Sequence, residues 1–330
     1  MLNELYAAVA RRRRERYARR PDLRRRLRRP VISVGNLAVG GRGKTPVVAA
    51  LARVLIAAGE RPAILSRGYG RTQPDDGVVV VNAPDGIRAD LARAGDEPLM
   101  LARQLPGVPI LVAGDRYLAG WVAEQHFAVT VHVLDDGFQH LPLERDLDLV
   151  IVAAEDLAPS ARTLPFGRLR EAPDALVAAD AILTADPAVH MPEDDVRPLF
   201  RLRRGLGALR GGDGEAVACE QPMLAVSGIA NPSRFVSDLR DAGVNAVRSL
   251  AFRDHHPYRE ADLTRIVTAA RDCGAKVVVT TEKDFVRLLP FRPFPLPVVY
   301  LPLTMDVEPA AEFGAWLEAS LRAARDITVD

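Results

Sequence analysis

From Val31 onward, short apolar runs rich in β-branched residues alternate with stretches of helical periodicity. VISV at 31–34 leads to a glycine-rich turn and a helical pattern over 45–59. PAIL (62–65), VVVV (78–81), a helix near 97–105, PILVAG (109–114), a helix near 117–125, VTVHVL (129–134), LDLVIVA (147–153) and AILTA (181–185) continue the series. The alternation predicts an α/β domain whose largely parallel sheet is covered on both faces. Residues 196–217, RPLFRLRRGLGALRGGDGEAVA, break the rhythm, and their β-like runs around a glycine-rich turn predict a hairpin between two lobes. A second series follows: MLAVSG (223–228), a helix over 232–242, a strand near 245–250, a helix over 259–273, KVVVTT (276–281) and VVYLPL (298–303). The last helix carries Phe313, Trp316, Leu317 and Leu321 on one face, a core-packing stripe. The expected organisation is a basic amphipathic membrane-surface helix over 1–29, its charge run divided at Pro21, a P-loop α/β domain over 30–195, a β-hairpin linker over 196–220 and a second, smaller α/β lobe over 221–330.

Charge changes the picture at the N-terminus. Residues 1–29 hold twelve arginines against Glu4, Glu15 and Asp22, a local net of +9, whereas the whole chain nets +1. The remainder is therefore acidic. Leu2, Leu5, Tyr6 and Val9 recur at i, i+3, i+4, i+7 beside this charge, the pattern of a helix lying on an anionic membrane surface. A solvated charge run and a nucleic-acid contact are the alternatives, and no aromatic-studded basic patch supports the second. No apolar window of the roughly 18–20 residues that cross a bilayer is present, nor a signal peptide. Cys219 and Cys273 lie far apart without metal-ligand spacing, which fits a reducing compartment, the cytosol.

The candidate chemistry starts at VISVGNLAVGGRGKTPVVAA, residues 31–50. A strand, glycines, Gly43-Lys44-Thr45 and a helix form the context of a phosphate-binding loop. Backbone N–H groups at the turn and helix start can face phosphate oxygens, Lys44 can reach the β- and γ-phosphates, and Thr45 can offer its hydroxyl to Mg²⁺. Ala38 stands where the standard spacing has glycine, while Gly40 and Gly41 crowd the turn; the alternative is a plain strand-to-helix turn. Ala38, Val39, Gly40, Gly41, Arg42, Gly43, Lys44 and Thr45 are the candidate ATP-binding set.

VTVHVLDDGFQH ends an apolar strand in Asp135 and Asp136, which either hold Mg²⁺ or make an Asp-Gly turn. Gln139 is a candidate for orienting the bound nucleotide, and His140 stands beside it. GDEP (95–98) sets Asp96 and Glu97 before a helix, as a helix cap or as functional carboxylates. SRGYGR (66–71) and GDRY (114–117) place Arg67 and Arg116 after strands, where arginine suits phosphate. In FRDHHPY (252–258), His255 and His256 face opposite ways if extended, so one of them would act with a carboxylate. TTEKDFVRL (280–288) brings Lys283 and Asp284 past a strand, toward the nucleotide, a lobe interface or a structural salt bridge.

The ordered set VGNLAVGGRGKTP, SRGYGR, GDEP, GDR, DDGFQH, PFGRLRE, SGIANP, FRDHHPY and TTEKD resembles the tetraacyldisaccharide 4′-kinase family of lipid A biosynthesis, over about residues 2 to 290. That family also lacks the first standard glycine of the loop. The resemblance implies a P-loop nucleoside-triphosphate-hydrolase-like lobe and a smaller α/β lobe joined by a two-stranded β link. It implies transfer of the ATP γ-phosphate to the 4′-hydroxyl of a tetraacylated glucosamine disaccharide 1-phosphate, giving lipid IVA. It also implies peripheral attachment to the cytoplasmic face of the inner membrane through the N-terminal helix. Carried over by position, Asp96 is the catalytic base and His255 its orienting partner across the cleft. Asp135 and Asp136 serve Mg²⁺ and phosphates, Lys44 and Thr45 keep their loop roles, and Arg67 and Arg116 stabilise charge. Lobe closure would then assemble the site. The competing reading is a nucleotide-dependent switch or regulatory ATPase with a protein partner, which would not need Asp96.

Overall fold

The computed structural model describes residues 1–40, 43–74, 77–218 and 220–327. Gly41 and Arg42 of the glycine turn, Asp75 and Asp76 of the TQPDDG loop, and Cys219 lie outside the described residues. Helix α1 spans Leu2–Arg19. The first lobe runs β1 (Val31–Asn36), α2 (Lys44–Ala57), β2 (Pro62–Ser66), β3 (Val79–Ala83), β4 (Gly86–Ile87), α3 (Leu91–Ala94), α4 (Asp96–Gln104), β5 (Ile110–Val112), α5 (Arg116–His126), β6 (Val131–Asp135), β7 (Leu147–Ile151), α6 (Ala154–Leu157), β8 (Ala181–Thr184) and β9 (Leu199–Leu206). The second lobe follows as β10 (Met223–Ser227), α7 (Pro232–Asp241), β11 (Ala246–Ala251), α8 (Glu260–Asp272), β12 (Val277–Thr281), α9 (Glu282–Leu288) and β13 (Val298–Leu301). β14 (Leu303–Glu308) and α10 (Ala310–Ile327) close the described chain.

Among the described residues the strands form a ten-stranded sheet, ordered β14-β9-β8-β7-β1-β6-β2-β5-β3-β4, and a four-stranded sheet, ordered β11-β10-β12-β13. β7, β1, β6, β2 and β5 are mutually parallel, and every residue of each is buried. Ile32 and Val34 of β1 face a core shared with α2, α4 and α10, while Val31 and Leu65 face the opposite core under α5. Helices thus cover both faces, which is why these strands read as unbroken apolar runs. The small sheet repeats the plan, with Leu224 and Val226 packed toward α8 and Met223 and Ala225 toward α7.

Two expected boundaries are corrected. Among the described residues no hairpin partner for β9 lies within 196–220; β9 pairs antiparallel with β14, with Leu206 opposite Leu303 and Arg201 opposite Glu308. The glycines that signalled the hairpin make only a small turn at 211–214, closed by a bridge between Arg210 and Ala216. The two-stranded link therefore joins chain segments on either side of the second lobe. Correspondingly, residues 303–327 do not belong to the second lobe. Met305 and Val307 enter the first lobe's core, and Phe313, Leu317 and Leu321 pack there too, with the Phe313 ring 5.0 Å from that of Phe200. Each such side chain contributes about 1.5–3 kcal/mol when fully buried.

The tail is also shorter as a helix than expected. α1 ends at Arg19, and residues 24–29 follow the first lobe as irregular chain, bridged to Leu143 at Arg25, with Leu27 buried beneath α5. Part of the positive charge meets the acidic body: Arg11 with Asp174, Arg14 with Glu171, Arg24 with Glu144, Arg25 with Asp115 and Arg26 with Asp146. Arg12, Arg13, Arg16 and Arg19 stay exposed, and no residue of α1 is buried.

Candidate active site

Because the central strands are parallel, the turns after β1, β6, β2 and β5 open along one sheet edge, where open α/β sheets bind ligands. The glycine turn after β1 enters α2 through Gly43, whose φ of +74° favours glycine. Ala38 needs no such freedom. It is fully buried and bridges to Leu169, while Val39 N–H donates to the Arg168 carbonyl at 2.7 Å. The PFGRLRE segment thus forms a rail beside the loop, and a side chain fits where the standard spacing has glycine.

Lys44 Nζ lies 3.2 Å from Asn36 Oδ1 and 3.5 Å from Asp136 Oδ1. Arg170 Nη1 donates to Asp136 Oδ2 at 2.8 Å. Burial favours protonation of Asp136, but the charges of Lys44 and Arg170 outweigh it and hold the carboxyl below its ordinary range. Asp135 goes the other way: burial, then the negative charges of Glu97 and Asp136, push it up against Lys44. Two neighbouring carboxylates therefore rest with opposite tendencies, and added positive charge would favour ionisation of both. Thr45 is buried at the first turn of α2.

Arg116, buried at the start of α5, donates from Nη1 to the Gly114 carbonyl at 2.9 Å, and its Nε has no hydrogen-bond partner. Burial and then the Arg67 charge lower its pKa to about 10, against the pull of Asp136, Asp135 and Asp115. Arg67 itself is exposed. Two guanidinium groups held near each other at this edge suit a polyanion. Asp115 caps α5 by accepting from Tyr117 and Leu118 N–H. His140 is kept neutral by burial and then by Arg116 and Arg145, with its pKa near 3.

Asp96 is the first residue of α4, while Gly95, with φ of +85°, occupies the cap position. A Cβ on Gly95 would lie 2.8 Å from the Tyr69 carbonyl, so the turn that presents Asp96 needs glycine twice over. Asp96 Oδ1 accepts from Glu97 N–H at 2.9 Å. Its Oδ2 faces the second lobe: Arg287 donates from Nε at 2.9 Å and from Nη2 at 2.5 Å, His255 Nδ1 lies at 3.6 Å and Lys283 Nζ at 3.8 Å. Burial favours the neutral acid, but His255, Lys283 and Arg287 together hold Asp96 far below the usual carboxylate range.

His255 and His256 face different partners. His256 Nε2 pairs with Asp262 at 2.9 Å and its ring stacks on Phe252, whereas His255 lies edge-on to Tyr69 and faces Asp96. Lys283 meets Glu97 at 2.9 Å across the α4–α9 contact, so TTEKD serves the lobe interface. Among the described residues, Asp136 (φ +57°) and His255 (φ +54°) are the non-glycine residues with positive φ, and both stand in this site. Such conformations gather where a site over-determines the backbone.

The carboxamide of Gln139 is bonded to protein at both ends: Nε2 donates to the Asn36 carbonyl at 3.0 Å and to Glu171 Oε2 at 3.1 Å, and Oε1 accepts from Arg170 at 3.4 Å. Glu171 in turn takes a two-pronged contact from Arg14 of α1, at 2.9 and 2.6 Å. A continuous polar chain therefore runs from α1 through Glu171, Gln139 and Arg170 to Asp136 and Lys44. The sequence reading singled out none of Asn36, Arg170, Glu171, Arg14 and Arg287 individually. Asn36, Arg170, Glu171 and Arg287 lie inside the motifs VGNLAVGGRGKTP, PFGRLRE and TTEKDFVRL, and Arg14 lies in the arginine run.

The model of the family described as tetraacyldisaccharide-1-P 4′-kinase matches residues 1–322. A protein of Geobacter metallireducens named tetraacyldisaccharide 4′-kinase is 41% identical over 276 residues, covering 81% of this chain and 80% of its own. One of the same name from Geobacter sulfurreducens is 39% identical, covering 96% and 90%. A crystal structure of LpxK from Aquifex aeolicus, described as its "apo" form in complex with ATP, aligns with a TM-score of 0.80 at 29% identity, covering 97% of this chain and all of the other.

Proposed function

The chain belongs to the tetraacyldisaccharide-1-P 4′-kinase family, and on that premise we propose that it moves the γ-phosphoryl group of ATP to the 4′-hydroxyl of a tetraacyldisaccharide 1-phosphate, giving lipid IVA. One observation carries this reading beyond kinship. The Lys44 turn and the Asp135–Asp136 strand end open on the same edge as α4, whose Asp96 meets His255 across the lobe interface.

The donor set fits ATP with Mg²⁺. The α2 N-terminus and Lys44 suit the phosphates. The Thr45 hydroxyl, Asp135 and Asp136 are oxygen donors of the hard type that Mg²⁺ takes. Among the described residues no group of three or more His, Cys, Asp or Glu side chains is placed to hold a metal ion by itself. When bound, Mg²⁺ neutralises charge on the phosphate oxygens. Asp96, held ionised, accepts the 4′-hydroxyl proton as the new O–P bond forms and the bond to the β-phosphate oxygen breaks. His255 orients Asp96, and Arg116 and Arg67 stabilise charge on the transferred group. The assay is direct: purified protein with ATP, Mg²⁺ and the disaccharide acceptor should yield a 4′-phosphorylated product. Nucleotide binding without transfer would count against the reading.

We also propose that α1 rests on the anionic cytoplasmic face of the inner membrane. Among the described residues no helix is long and apolar enough to cross a bilayer. Leu2, Leu5 and Val9 are each more than half exposed, beside the exposed arginines. Each such arginine near an anionic surface is worth about 1 kcal/mol. Replacing Leu2, Leu5 and Val9 by serine leaves the Arg14–Glu171 pair in place. The triple variant should lose cosedimentation with phosphatidylglycerol vesicles while binding ATP as before; undiminished vesicle binding would refute the role of this face.

A further inference from the structure

We propose that Arg287 is a positioning residue of the transfer site: a second-lobe guanidinium that fixes the Asp96 carboxylate and leaves its Oδ1 as the oxygen that takes the hydroxyl proton. The inference rests on the reading of Asp96 as the base. Arg287 sits on α9 and is 7% exposed. Its Nε and Nη2 both reach Asp96 Oδ2, at 2.9 and 2.5 Å. Its Nη1 donates to Asp284 Oδ1 at 3.0 Å and to the Gly228 carbonyl at 2.9 Å, and Nη2 is directed at His255 Nδ1 from 3.1 Å. One rigid, planar group thus fixes an acid of the first lobe, an acid and a carbonyl of the second, and the histidine loop. Asp284 is itself fixed, accepting from Gly228 N–H and the Thr281 hydroxyl, each at 2.8 Å. The guanidinium is therefore anchored on its own lobe before it meets Asp96.

A residue needed only to fill the interface would be satisfied by Asp284 and Gly228. Instead the two remaining donor edges converge on the base and its partner. With Oδ2 taken by both N–H groups, Oδ1 holds one backbone bond from Glu97 and keeps a lone pair for an incoming hydroxyl. The titratable groups facing Asp96 are Arg287, Lys283 and His255 from the second lobe and Glu97 on its own helix, with Arg71 packed beside Gly95 and Asp284 behind Arg287. Removing Arg287 leaves burial to favour the protonated acid against fewer cations, so the acid limb of the rate profile should move upward.

The test compares Arg287→Met and Arg287→Lys with the unmodified protein. Met should lower kcat by roughly 10²-fold, the cost of a base displaced by about 1 Å, with KM for ATP within about threefold. It should also raise the acid limb of kcat/KM by at least about one pH unit. Lys keeps the charge but not the fork; it should recover at least a tenfold part of that loss, restore the original limb, and stay below full activity. Should Met fail to fold, the Lys arm decides alone. Lys matching the unmodified enzyme at every pH, or Met with an unmoved limb and no rescue by Lys, overturns the proposal. Asp96→Asn run in parallel separates the two failures: full turnover there removes the base itself, whereas an inactive Asp96→Asn beside a fully active Arg287→Met removes only the role of Arg287.

Discussion

Asp96→Asn should lower kcat by roughly 10²–10⁴-fold, the range for loss of a positioned general base, while ATP binds with near-normal affinity. The substitution keeps shape and removes the charge. One oxygen remains to accept from Arg287, which keeps Asp284 and the Gly228 carbonyl, so the fold should survive. ATP affinity should hold because Lys44 contacts Asn36 and Asp136, not Asp96. The folded protein also responds to pH through this residue. A carboxyl held far below its ordinary value stabilises the fold fully above about pH 4 and progressively less as pH falls through its folded-state value. Thermal unfolding of Asp96→Asn should therefore lose less midpoint on acidification than the unmodified chain. Turnover within tenfold of normal would move the base elsewhere and favour the regulatory ATPase reading.

Lys44→Ala should fail differently. Removing an ammonium aimed at the phosphates should cost roughly 10²–10³-fold in kcat/KM for ATP, with weaker nucleotide binding by titration calorimetry. The reason lies in the resting electrostatics. Lys44 is a cation near both Asp135 and Asp136; without it Asp136 keeps Arg170, while Asp135 faces Glu97 and Asp136 with less relief. The pocket would then repel the triphosphate it is meant to hold. The pair of variants is diagnostic, since one should lose chemistry with nucleotide bound and the other should lose the nucleotide. Unchanged ATP affinity in Lys44→Ala would reduce the glycine turn to a strand-to-helix connection.

Local pattern carried much of this architecture. β1, β6 and β7 are buried on both faces, and the shortness and β-branched content of their apolar runs, not their period, mark them as strands. The Lys44 turn and the Asp135–Asp136 pair were legible because glycine and aspartate are poor strand residues placed at strand ends. What escaped was non-local. β9 finds its partner in β14 at the far end of the chain, and the glycines at 211–214 offered a nearer, false one. Arg287 stands three residues beyond Asp284 on α9, a spacing that by itself points only to a local ion pair. Only the docking of α9 on α4 turns its other edge toward Asp96. The arginine tail read as one helix because charge has no period, yet Leu27 had to leave that helix to fill the space over Gly120.

β14 lies beside α2, and the tip of Met305 comes within 3.4 Å of where a Cβ on Gly43 would stand. During synthesis the nucleotide loop emerges ahead of the second lobe, whereas the strand that walls it off follows that lobe. An emerging chain must carry an unfinished sheet edge while the whole second lobe is made, and a product cut short after that lobe would have every catalytic group named here but no completed wall behind the loop.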